Sequence, residues 1–98
     1  MIELPLQSDW FYTTRYVLDG REFLFEFRYL ERTGTYFLSI KTSEGDPIVS
    51  GLKCVVGSLL TMRISDQRLF SGNLIFGGAP PTPENIALGA TILGYEPL

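Results

Sequence analysis

The chain has 98 residues, 45% hydrophobic and 13% aromatic, with eleven acidic side chains against eight basic ones and a formal charge of −3. That length fits one domain over residues 1–98, with enough apolar material for a core that needs neither disulfide nor metal. Scattered Arg15, Arg28, Arg32, Arg63 and Arg68 on an acidic chain argue against nucleic acid as a partner, and one cysteine with no histidine excludes a Cys/His zinc site and a histidine-activated thiolate.

Ile2–Leu6 reads as a short first strand, and Pro5, which cannot donate to a ladder, places it at a sheet edge. This start has neither the basic nor the apolar region of a signal peptide, which predicts synthesis and retention in a cytoplasm. No apolar run approaches the ~18–20 residues of a membrane span. Trp10–Leu18 is the next predicted strand. Its even positions, Trp10, Tyr12, Thr14, Tyr16 and Leu18, share the face expected to point inward, with Phe11, Thr13, Arg15 and Val17 on the other. Asp19-Gly20 supports a type I′ hairpin turn, because both central residues must take positive φ. The strongest signal follows. In Arg21–Leu30 the rings of Phe23, Phe25, Phe27 and Tyr29 alternate with Glu22, Leu24, Glu26 and Arg28, so the strand carries an aromatic wall on one face and is expected to be central.

Glu31-Arg32-Thr33-Gly34 supplies a second turn, and Tyr36–Lys41 alternates Tyr36, Leu38 and Ile40 against Phe37, Ser39 and Lys41. After a third turn at Ser43–Pro47, strands Ile48–Ser50 and Leu52–Val56 are broken at Gly51, where a bulge or bend is expected. Ser58–Ile64 fits one helical turn or an irregular strand equally well. Asn73–Phe76 reads as a short strand, and Gly77–Pro83, with three prolines and two glycines, as irregular. Thr82 before Pro83-Glu84 predicts an N-cap and a short helix or 3₁₀ turn over Pro83–Leu88, and Ala90–Tyr95 closes the chain as a last strand. Turn signals recurring about every eight to twelve residues predict an all-β domain, a small antiparallel β-barrel or sandwich of six to eight strands.

No constellation for catalysis stands out. Glu22 and Glu26 share a strand face, and the ordinary reading of that spacing is a solvated outer face. Cys54, in the run Leu52–Val56, is expected to act as a small buried hydrophobe. No phosphate loop or calcium loop is present, so neither cofactor nor metal is expected. The rings leave two readings. Stacked on an open barrel face they would bind an oligonucleotide or an oligosaccharide; packed inward they are a core. Neighbouring Trp10 and Phe11 cannot both point inward from one strand, so at least one is a candidate interface anchor, with Phe37 and Phe70 as further candidates.

The order of motifs resembles the small baseplate plug proteins of contractile-tailed bacteriophages, including cyanophages. The motifs are "IELPL" at Ile2–Leu6, "LDG" at Leu18–Gly20, "FLFEFRY" at Phe23–Tyr29, "TGTYFLSI" at Thr33–Ile40, "EGDPIVSG" at Glu44–Gly51, "VVGSLL" at Val55–Leu60, "SGNLIF" at Ser71–Phe76 and "LGATILGYE" at Leu88–Glu96. Phe37 directly after Tyr36 departs from the pattern, which favours one aromatic and a more polar neighbour. The resemblance implies a virion structural protein of the tail baseplate, made in the host cytoplasm and packed against hub and tube proteins near the tail axis, without catalysis. It carries no site residues across. Ring closure by so small a body suggests three or six symmetry-related copies, with Ile2–Leu6 and Ala90–Tyr95 as the expected open edges.

Overall fold

A computed structural model describes residues 1–61 and 64–97. Seven strands and one short helix follow in the order β1 (Ile2–Leu4), β2 (Phe11–Leu18), β3 (Arg21–Leu30), β4 (Thr35–Thr42), β5 (Pro47–Lys53), β6 (Asn73–Gly78), α1 (Pro83–Ala87) and β7 (Thr91–Glu96). They form two antiparallel sheets, β2-β3-β4-β5 and β1-β7-β6, packed face to face as a sandwich. The ladders do not close into a barrel. The body measures 33 × 25 × 21 Å.

The four-stranded sheet is a meander whose register follows from its turns. Asp19 at φ 55° and Gly20 at φ 73° make the two-residue hairpin between β2 and β3, and pairing runs without interruption from Leu18↔Arg21 to Phe11↔Arg28. Rows of inward side chains then cross the sheet: Tyr12, Phe27, Leu38 and Leu52 in one, Thr14, Phe25, Ile40 and Val49 in the next. Phe23, Phe25 and Phe27 are buried to 2%, 0% and 1% exposure, so the aromatic wall is core. Tyr29 continues the wall only half-buried. β4 and β5 slip register between Leu38 and Lys41, opposite the strand that contains Gly51, so the predicted break is a bulge inside one strand.

The second sheet supplies Leu4, Leu74, Phe76, Leu93 and Tyr95 to the same core. Phe70 lies between the layers. Its ring centroid is 5.2 Å from both Phe23 and Tyr95 and 6.2 Å from Phe25. A polar clasp joins the layers at one end. Asp19 accepts from the Tyr95 hydroxyl at 2.7 Å and from the Ser71 amide and hydroxyl at 2.8 and 2.9 Å, while the Gly72 amide donates to Tyr95 Oη at 2.9 Å. The hairpin turn of one sheet is thereby tied to the last strand of the other.

Two sequence expectations are corrected. Ala90–Tyr95 is not an edge: β7 is the middle strand, because its backbone groups pair with β1 on one flank and β6 on the other, while Leu93 and Tyr95 fill the core from its inner face. Gly77 and Gly78 are not irregular either. They extend β6 opposite Ile92 and Thr91. The expectation for Ser58–Ile64 falls partly on residues outside those described. Leu60 lies in a turn, and its amide donates to Leu74 O at 3.1 Å. The helix forms as read, with Thr82 Oγ1 accepting from the Asn85 amide at 3.1 Å and proline at N1.

The clasp carries a pH prediction. Hydrogen bonds from the Ser71 amide, then from Tyr95, hold the Asp19 carboxyl below the ordinary aspartate range. A folded-state pKa depressed in this way stabilises above the unfolded value and ceases to do so as pH falls through the folded one. Wild type should therefore lose stability more steeply than Asp19→Asn on acidification below about pH 4, measured by urea denaturation at several pH values. Parallel acid limbs would contradict the assignment.

Candidate contact surface

The candidate anchors separate once placed. Phe70 is 4% exposed and belongs to the core, because the gap between the sheets needs a large ring there; a buried ring offers no contact face, and this candidate is withdrawn. Trp10 and Phe11 remain 52% and 55% exposed. Trp10 was assigned inward with the even positions of its strand; it instead precedes β2 at the rim of the sandwich, where its ring meets Tyr29 edge-on at 5.5 Å. The pair borders a recess of about 240 Å³ shared with Glu31, Thr82, Pro83 and Glu84.

Phe11 and Phe37 come together on the outer face of the meander. Both flank Arg28 in the row Phe11–Arg28–Phe37–Lys53, and the guanidinium carbon lies 5.5 Å from the Phe11 ring centre. Cation–π contact of this kind masks part of an exposed ring with an amphipathic lid. Phe37 itself is half-buried. Val17, 67% exposed on the same outer face, extends this apolar set and was not among the sequence candidates. Alternation along the strand already set Val17 opposite Tyr16 and Leu18, and the burial of those two agrees with it.

Four charged groups of this face pair with one another, while Arg28 and Lys53 lie in the row of rings. Arg15 contacts Glu22 at 2.8 Å and Lys41 contacts Glu26 at 3.4 Å, so the two glutamates are solvated sheet partners with separate counter-ions. Pairs this exposed contribute at most about 1 kcal/mol. Cys54 is 3% exposed, and burial pushes its thiol up to about 12, far from a reactive thiolate. Among the described residues no group of three His, Cys, Asp or Glu side chains is placed to hold a metal ion. Accordingly, Cys54→Ala and the Glu22→Ala/Glu26→Ala double variant should leave the function of the protein intact apart from lost stability. Elemental analysis showing stoichiometric metal in the purified protein would contradict this.

The loop after β6 is tied down rather than projecting. The Ala79 amide donates to Ala90 O at 2.8 Å, Thr91 Oγ1 donates to Ala79 O at 2.8 Å, and Asn85 Nδ2 donates to Pro80 O at 2.8 Å. Pro81 is buried. Most of the rings that would form a base- or sugar-stacking platform lie in the core; the exposed rings are at the Trp10 rim and on the Phe11–Phe37–Val17 face, while Met1, Ile2, Leu88 and Ile92 are exposed aliphatic side chains elsewhere. Such surfaces, with aromatic and apolar side chains bordered by paired charges, suit protein contact.

Comparison with known proteins agrees in kind. No curated protein matches the chain. The family model described as "Cyanophage baseplate Pam3 plug gp18" matches residues 1–96. The match covers nearly the whole sandwich, and the chain belongs to this family of cyanophage baseplate plugs.

Proposed function

We propose that the chain is a non-catalytic structural part of a contractile tail, packed against hub and tube proteins near the tail axis in several symmetry-related copies, three or six. The observation that carries this reading is the family match across residues 1–96. The surface supports it: exposed aromatic residues lie on the sandwich, and among the described residues no cluster of metal-ligating side chains is present. A body 33 × 25 × 21 Å is a poor stopper by itself, whereas copies arranged around an axis narrow it together. Ring closure uses two different patches on each copy, because one patch must meet another on the next subunit.

Trp10 and Phe11 are the anchors in this reading. Both are exposed, so Trp10→Ala and Phe11→Ala should melt close to wild type while incorporation into tails falls at least about tenfold, the effect of losing a hot spot. Quantitative mass spectrometry of purified virions measures both incorporation and copy number. A single copy per tail would overturn the ring, and normal incorporation of both variants would move the contact elsewhere. An electron-microscopy map of the intact tail tip decides the neighbours.

A further inference from the structure

Each outer strand has a free side, and three of the four are guarded. β1 has only three residues and runs into Pro5. β5 begins at Pro47 and is bulged. The outer side of β6 is taken by the Gly57 amide on Phe76 O at 3.0 Å and the Leu60 amide on Leu74 O at 3.1 Å. β2 is different. It is eight residues long, contains no proline or glycine, pairs without a bulge, and among the described residues has no backbone partner on its outer side. Natural sheets seldom leave such an edge bare, because its amides template another strand.

The hairpin sets which groups are free. Leu18 and Arg21 flank the two-residue turn and exchange hydrogen bonds, so the even positions of β2 aim at β3; Trp10 O, accepting the Tyr29 amide at 2.6 Å, keeps the same phase. Phe11, Thr13, Arg15 and Val17 therefore present their N–H and C=O outward. Beneath the inner face, the Pro5–Gln7 segment is held by the Tyr16 and Tyr12 hydroxyls and, among the described residues, makes no backbone hydrogen bond to the strand.

We propose that this edge pairs with the β2 edge of a second copy, antiparallel about a two-fold axis through Thr14. The four free residues are symmetric about that point. Phe11 then faces Val17 of the other copy, so the two exposed apolar side chains of β2 cover each other. Arg15 faces the short, uncharged Thr13, across which it reaches toward Glu26 in the next strand. Neighbouring registers are worse. A shift of two residues one way sets Arg15 against Arg15, and the other way sets Phe11 against Arg15 and leaves Val17 beyond the partner strand. A shift of one residue brings outward groups against inward ones. The contact is one strand deep and falls short of the ~800 Å² per partner of a stable complex, which places dissociation in the high-micromolar to millimolar range. The inference does not rest on the plug reading. A two-fold pair is closed and builds no ring; it occupies the edge in the free protein.

The test uses the full chain in a Cys54→Ala background, since the native thiol is buried. Thr14 would meet its own copy in a non-hydrogen-bonded pair with Cα atoms ~4.5 Å apart, within disulfide reach. Thr14→Cys should oxidise to a linked dimer, whereas Thr13→Cys, diagonal to its copy, should not. In the unsubstituted chain, raising concentration should slow amide exchange at Phe11, Thr13, Arg15 and Val17 and raise the sedimentation coefficient. Val17→Lys, at a solvated position, should abolish both changes without altering the melt. A wild-type chain that stays monomeric to millimolar concentration, or Thr13→Cys linking as readily as Thr14→Cys, overturns the proposal. Protection of these amides only on adding a baseplate protein would also overturn it and give the edge to that partner.

Discussion

Phe25→Ala is expected to destabilise the fold by about 3–5 kcal/mol, the range for removing a fully buried phenylalanine. The ring is 0% exposed and touches aromatic neighbours on three sides: Tyr16 edge-on at 4.8 Å, Phe27 at 6.2 Å and Phe70 stacked at 6.2 Å. Phe70 is itself the contact between the sheets, so the void would lie where the two layers meet and neither backbone can close on it without moving a ladder. Domains of this size have only ~5–15 kcal/mol in hand, so the variant should lose at least about a fifth of its stability and melt well below wild type. Guanidinium denaturation monitored by circular dichroism measures it, and a Phe25→Ala variant with the wild-type midpoint would show that the wall is not the core.

Gly78→Ala is expected to cost about 2–4 kcal/mol, combining left-handed backbone strain with overpacking. Gly78 takes φ 80° at the end of β6, and an added Cβ would run into the Ala90 carbonyl oxygen, the acceptor of the Ala79 amide. Gly78 ends β6 and Ala90 directly precedes β7, tied to the Ala79 amide, so relief requires breaking the bond that pins the following loop. Gly20→Ala is the control, with φ 73° but open space around the new methyl. It should lose only the conformational part, roughly 1 kcal/mol. Equal losses in the two variants would remove the clash from the account.

What could be read from residues alone divides along a physical line. β3, its hairpin turn and its inward rings were legible, because a period of two over ten residues and an Asp-Gly turn are local signals that tertiary structure only reinforces. The helix was legible from Thr82 and Pro83 for the same reason. β7 was misplaced as an edge because neighbour order is not local: its partner β1 lies about ninety residues earlier, and the run Thr-Ile-Leu-Gly-Tyr-Glu fits an edge or a middle strand equally. Phe70 was misread as a surface anchor because Leu69-Phe70-Ser71 has no period from which to infer a face; its burial comes from the gap between layers. For Trp10 and Phe11 the argument that both could not be inside was sound, and the structure puts both outside. The contact partners were never in the pattern, since recognition depends on surfaces that alternation leaves unconstrained.

The pairing of β1 with β7 has a kinetic consequence. β2 to β5 form a meander of sequence neighbours, whose short loops close at small entropic cost, while the second sheet cannot exist until residues near position 95 meet residues near position 2. On a ribosome the meander can assemble with its aromatic wall uncovered, waiting for β6 and β7 to emerge from the exit tunnel. During that interval Phe23, Phe25 and Phe27 are exposed on a formed sheet, the arrangement most prone to collect other chains. Yield in the host should then depend on how fast the last third of the message is translated: slow codons placed after the meander lengthen the vulnerable interval and should divert chains to aggregates, and the same codons placed before it should not.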